Sequence, residues 1–137
     1  MLGPVAAWGV IAVVNSSQDV TEILRLFLEH AGYVVVTAYT QDIRDGDVDL
    51  PALLRQYQPR VIVYDIALPY DINWRLFETI RDSPACAGVR FVLTTTNVLQ
   101  VQKVVGPDTH VLEIIGKPYD LDLLLQMVRK AMPEHPR

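Results

Sequence analysis

The stretch GVIAVVNSSQDVTEILRLFLEHAGYVVVTA, residues 9–38, carries a strand, a helix and a strand in succession. Gly9–Val14 and Tyr33–Ala38 are near-continuous apolar runs rich in β-branched residues. A strand covered on both faces reads this way, whereas a strand with one wet face alternates. Between the runs, Val20, Ile23, Leu24, Phe27 and Ala31 recur at helical spacing. Ser17 or Asp19 stands where a cap is needed, and Gly32 stops the helix. Such a unit closes as a parallel strand pair with a right-handed crossover.

The same alternation continues outward. VIVYD (Val61–Asp65) and RFVLTT (Arg90–Thr95) read as buried strands, and HVLEIIG (His110–Gly116) as a weaker fifth. A second helix starts at the Asp49 cap with Pro51 in its first turn, and a third is NWRLFETIR, with Leu76, Phe77 and Ile80 on one face. The fourth, around Asn97–Val105, is poorly signalled, because Val98, Val101, Val104 and Val105 favour strand as much as helix. A last helix runs from Asp120, with Arg129 and Lys130 near its end to suit the helix dipole. The stretch QDIRDGDVD, with Asp42, Asp45, Asp47 and Asp49 close together, reads as a solvated loop. Five β-α units predict a doubly wound α/β fold, a five-stranded parallel sheet with helices on both faces. Residues 1–137 read as one domain, with its core between about residue 9 and residue 132.

Composition narrows the function. The 137 residues carry 12 Lys+Arg against 16 Asp+Glu, a net charge of −4, which argues against a direct grip on nucleic acid. The single cysteine, Cys86, excludes an internal disulfide framework and a thiolate-rich metal site. His30, His110 and His135 show no ligand spacing with one another. The run Val5–Val14 is too short to span a bilayer, and no Lys or Arg precedes it as a signal peptide requires. The expectation is a soluble, cytoplasmic chain without a membrane partner.

In an open parallel sheet, ligands bind beyond the carboxyl ends of the strands. The segments there are Asn15-Ser16-Ser17, Asp65 to Pro69, Thr94-Thr95-Thr96 and Gly116-Lys117-Pro118. Asp65 ends an otherwise apolar strand, where a carboxylate is costly unless a cation meets it. Lys117 and one of the two threonines, Thr94 or Thr95, would converge with it around a small anionic group. Two readings stay open: phosphoryl transfer onto a nucleophilic Asp65, or an Asp65–Lys117 ion pair closing the top of the sheet.

The chain resembles the receiver domain of bacterial two-component response regulators over nearly all of its length. The resemblance is carried by VIAVVNSSQDVTEILRLFLEHAGY, VIVYDIALP with WRLFETIR after it, FVLTTT, and Lys117-Pro118 in IIGKPYD. Asp65 to Thr95 is 30 residues and Thr95 to Lys117 is 22, close to the spacing of that family. The resemblance implies the flavodoxin-like strand order 2-1-3-4-5. It further implies that Asp65 accepts a phosphoryl group from a histidine kinase or phosphotransfer protein. Thr95 would bond that group, with Thr94 as the alternative if the strand is offset by one, and Lys117 would pair with it. It implies a cis Lys117–Pro118 bond, and an Ala67 backbone carbonyl offered to Mg²⁺. The face built from the fourth helix, fifth strand and fifth helix would carry the signal to an effector protein. A phosphoacceptor signalling domain, rather than an enzyme, is the expected role.

Three departures qualify the resemblance. Where the family has two acidic residues after the first strand, this chain has Asn15 and Ser16. A Mg²⁺ site would then be Asp65, Ala67, Ser16 and Asn15, with one anionic ligand, and metal binding should weaken substantially. Asp19 reads as a helix cap and Asp71 as surface. Ile114 stands where the family often has a switching Tyr or Phe, and QDIRDGDVD is longer than the corresponding family segment. A degenerate receiver acting as a phosphorylation-independent interaction module is therefore the main alternative. A flavodoxin-like binder of a nucleotide or flavin is the other, with NSSQD cradling a phosphate at a helix N-terminus but lacking glycines.

Overall fold

A computed structural model describes residues 9–114 and 118–132. In chain order the elements are β1 (Val10–Asn15), α1 (Gln18–His30), β2 (Val34–Tyr39), α2 (Thr40–Asp45), α3 (Leu50–Tyr57), β3 (Val61–Asp65) and α4 (Tyr70–Arg81). A 3₁₀ turn (Pro84–Cys86), β4 (Arg90–Thr95), α5 (Val98–Val105), β5 (Val111–Glu113) and α6 (Pro118–Ala131) complete it. The five strands are parallel in the order β2-β1-β3-β4-β5, as expected.

The pleat sorts the core into two layers, because successive strand residues point to opposite faces. Ile11 and Val13 of β1, with Val61 and Val63 of β3, pack against Leu24 and Leu28 of α1 and Leu124 and Val128 of α6. Ala12, Val14, Ile62 and Tyr64 point the other way, onto Leu54 of α3, Phe77 and Ile80 of α4 and Val101 of α5. This two-sided burial is the reason the strand sequences run apolar without alternation. Cys86 lies in the second layer, and burial pushes its thiol above the usual range.

Helix ends follow the local chemistry. Ser17, not Asp19, caps α1: its Oγ accepts from the Val20 N–H at 3.2 Å, while Asp19 in the first turn complements the dipole. Asp49 caps α3 through the Ala52 N–H at 3.1 Å, with a proline in the first turn. The weakly signalled α5 does form. Asn97 Oδ1 accepts from the Gln100 N–H at 3.2 Å, and Glu113 Oε1, from β5, accepts from the Val98 N–H at 2.9 Å. Two caps and the burial of Val101 outweigh the strand preference of its valines.

The stretch expected to be a solvated loop contains α2 instead. Gly46, at φ +81°, ends this helix, and the N–H groups of Asp47 and Val48 turn back to the Asp42 carbonyl at 2.9 and 3.1 Å. Thr40 is buried, and Ile43 and Val48 pack against the core. Apolar residues set between the acids anchor what charge alone would leave in solvent. The third predicted helix also starts earlier than its apolar spacing suggested, at Tyr70 directly after Pro69.

Tyr64 is fully buried, and its hydroxyl has no hydrogen-bond partner among the described residues. A buried donor left unpaired costs stability. Tyr64→Phe is expected to raise the unfolding free energy by roughly 1 kcal/mol, read as a higher urea midpoint at unchanged slope. A lower midpoint would mean that the hydroxyl is bonded after all. Among the described residues no helix is long and apolar enough to cross a membrane.

Candidate functional site

The carboxyl ends of the strands meet above β1, β3 and β4. Parallel register sets Thr94 beside Asp65. Thr94 Oγ1 donates to Asp65 Oδ1 at 2.7 Å, with Asp65 only 8% and Thr94 only 1% exposed. The next side chain alternates away: Thr95 donates to the Ile66 carbonyl at 2.9 Å and accepts from the Asn97 N–H at 3.3 Å. Of the two threonines, the alternative position, Thr94, is therefore the one brought to the carboxylate. Thr95 joins the β3–α4 and β4–α5 connections.

A cleft of about 330 Å³ opens over this pair, lined among others by Asn15, Ser16, Asp65, Ala67, Thr94 and Ile114. Asp65 is the one carboxylate among its described lining residues. Asp19 and Asp71 are exposed and lie outside the lining. Ile114 reaches the cleft as an apolar wall, and its N–H donates to the Thr95 carbonyl at 2.8 Å. Lys117 and the Lys117–Pro118 bond lie outside the described residues. The cis peptide within them is Leu68–Pro69.

Burial is the main influence on the Asp65 carboxyl, pushing its pKa up to about 6; the Thr94 hydrogen bond opposes it. Desolvation penalises the anion more than one hydroxyl can compensate.

The donor set for Mg²⁺ can be tested against these contacts. Asn15 is buried, and its Oδ1 accepts from the Ser17 N–H at 2.9 Å, in a turn that leads into α1. The Ala67 carbonyl accepts from Asn73 Nδ2 at 2.8 Å, and the same amide nitrogen reaches the Leu68 carbonyl at 3.1 Å. Ser16 is exposed. No group of three His, Cys, Asp or Glu side chains suited to a metal occurs among the described residues. One carboxylate beside neutral oxygens that already accept hydrogen bonds fits Mg²⁺ poorly.

Asn73 went unnoticed in the sequence, although a signal was there. It shares the inward stripe of α4 with Phe77 and Ile80, and a polar residue in that stripe must be hydrogen-bonded or costly. It is 2% exposed.

No family model matches the chain. Over 123 residues it is 29% identical to the DNA-binding dual master transcriptional regulator RpaA of Synechocystis, covering 89% of this chain and 48% of that protein. Over 127 residues it is 28% identical to the response regulator ArlR of Staphylococcus aureus, covering 93% of this chain and 54% of that one. The chain thus spans about half the length of the curated relatives it matches. Among solved structures, the chemotaxis protein CheY4 of Vibrio cholerae superimposes with a TM-score of 0.66 at 23% identity, over 92% of this chain and all of that one. A sensor protein from Polaromonas gives a TM-score of 0.67 at 18% identity, over 90% of this chain and 94% of that one.

Proposed function

We propose that the chain is a response regulator receiver domain in which Asp65 accepts a phosphoryl group, inefficiently, from a histidine kinase or phosphotransfer protein. One carboxylate oxygen attacks phosphorus as the bond to the donor breaks. Thr94 meets an oxygen of the arriving group, and Lys117 supplies the cation by resemblance. The observation that carries this reading is a buried carboxylate, alone of its kind among the described cleft residues, with a threonine hydroxyl at 2.7 Å. Residues 1–137 act as a single signalling unit in the cytoplasm, transmitting a signal rather than catalysing an output reaction. By the same resemblance the α5–β5–α6 face would meet an effector protein, and both of its helices carry an exposed leucine, Leu99 of α5 and Leu123 of α6. The net charge of −4 argues against a direct grip on nucleic acid by this segment.

Intact mass after incubation with acetyl phosphate, beside an Asp65→Asn control, tests the assignment. A gain of one phosphate in the unaltered chain alone is the expected result. Equal gain in both would move the acceptor elsewhere. Absence of gain would leave the second reading, a phosphorylation-independent interaction module, which the internally bonded oxygens of Asn15 and Ala67 favour.

The attacking form is the carboxylate, so its pKa of about 6 sets the pH profile. The initial rate of phosphorylation should rise with pH through about 6 and level off above it. A flat profile across that window would show that Asp65 does not limit the step.

A further inference from the structure

Around Asp65, two of the neutral oxygens that a cation would need, Asn15 Oδ1 and the Ala67 carbonyl, are met by donors of the chain itself. Ser17 N–H points at Asn15 Oδ1, and Asn73 Nδ2 points at the carbonyls of Ala67 and Leu68. We infer that these internal amide donors stand in place of a divalent cation, with Asn73 as the positioning residue that holds the Ala67 carbonyl closed to metal. The inference rests on the reading of this cleft as a receiver site and bears on how inefficiently Asp65 accepts a phosphoryl group.

Three observations support this assignment. Each donor turns the positive end of an N–H dipole toward an oxygen that a metal would approach, so an incoming cation meets repulsion along with a ready-bonded oxygen. The Asn15 contact sits at the start of α1, where the helix already presents positive partial charge. Asn73 is locked: it is 2% exposed, and its Oδ1 has no hydrogen-bond partner among the described residues. Giving up the Nδ2 bonds would leave the whole carboxamide buried and unpaired, so the side chain has no cheap way to release the carbonyls. The two carbonyls it grips are Ala67 and Leu68, immediately after Ile66, so the clamp fixes the path of the β3–α4 connection along the cleft floor.

The test uses the metals alone, on the unphosphorylated chain. Mg²⁺ titration by NMR, with Mn²⁺ broadening to locate the ion, is run on four proteins. These are the unaltered chain, the Asn73→Ala variant, the Asn15→Asp/Ser16→Asp variant, and the triple combination. The unaltered chain and Asn73→Ala should show no saturable binding across the millimolar range. The acidic pair should confer it, with broadening centred on residues 65–67, and adding Asn73→Ala should tighten it about tenfold, the equivalent of one hydrogen bond that the metal no longer has to displace. A lost hydrogen bond of purely structural value would lower thermal stability without moving metal affinity, so equal affinity in the double and triple variants overturns the role of Asn73. Saturable sub-millimolar binding by the unaltered chain at Asp65 and Ala67 overturns the whole inference. Asn73→Ser, too short to reach both carbonyls, serves the same arm if the alanine variant does not fold. Since no phosphoryl donor is present, these outcomes are independent of whether Asp65 gains phosphate in the mass measurement.

Discussion

Asp65→Asn is expected to stabilise the folded chain at neutral pH by roughly 3 kcal/mol, the value of a carboxyl held about two pKa units above its ordinary range. Burial raises that pKa from 3.8 to about 6. Between those two values the unfolded chain has released the Asp65 proton while the folded chain still holds it. Stability from this group is therefore fully present below pH 3.8 and is lost as pH rises toward 6. Above that window the folded state carries the cost of a buried anion, and the amide removes the cost while its oxygen can still accept from Thr94. Urea unfolding at several pH values reads both features: a higher midpoint for the variant at pH 7, and convergence with the unaltered chain near pH 4. A variant less stable than the unaltered chain at pH 7 would show that the carboxylate is held by more favourable contacts than the Thr94 bond.

Phe77→Ala should cost about 3–5 kcal/mol, enough to consume much of the stability of an ordinary domain. Phe77 is 2% exposed at the centre of an aromatic cluster. Its ring lies 5.0 Å from Tyr64 and 5.0 Å from Phe91, both edge-on, and 5.1 Å from Trp74 in a stacked arrangement, with the Arg81 guanidinium 5.8 Å from its centroid. Truncation removes these contacts and leaves a cavity beside Tyr64 in the second core layer. Phe77→Leu keeps apolar bulk and should lose only about 1.5 kcal/mol. Chemical denaturation of the two variants provides the check, and a loss below about 1 kcal/mol for the alanine variant would remove Phe77 from the load-carrying core.

These two sites differ in how far the sequence exposed them. Phe77 was legible, because Leu76, Phe77 and Ile80 mark an apolar stripe at helical spacing. Asp65 was legible too, as a charge at the end of the apolar run VIVYD. What surrounds Asp65 was less so. The resemblance favoured Thr95 as the hydroxyl for the phosphoryl group, with Thr94 as the alternative, and in the structure Thr94 is the one that bonds Asp65. Strand side chains alternate, so a difference of one residue reverses the face, and only pairing with β3 fixes which threonine turns toward the acid. The acid-rich stretch misled for a related reason. Four aspartates dominate its composition, but Thr40, Ile43 and Val48 find a core supplied by distant segments, and α2 forms on them.

The sequence by itself determined the architecture: β-branched runs alternating with amphipathic helices allow little except a parallel sheet wrapped on both faces. It also determined the placement of Asp65 and the absence of an acidic pair at Asn15 and Ser16. Tertiary structure alone decided the wiring of the cleft. The bonds from Thr94 to Asp65 and from Asn73 to Ala67 join residues 29 and 6 positions apart, and both depend on where strands and helices finally settle. Hydrophobic periodicity is a property of neighbours along the chain. A buried hydrogen bond depends on angle and distance within tenths of an ångström, which exist only once the core has packed.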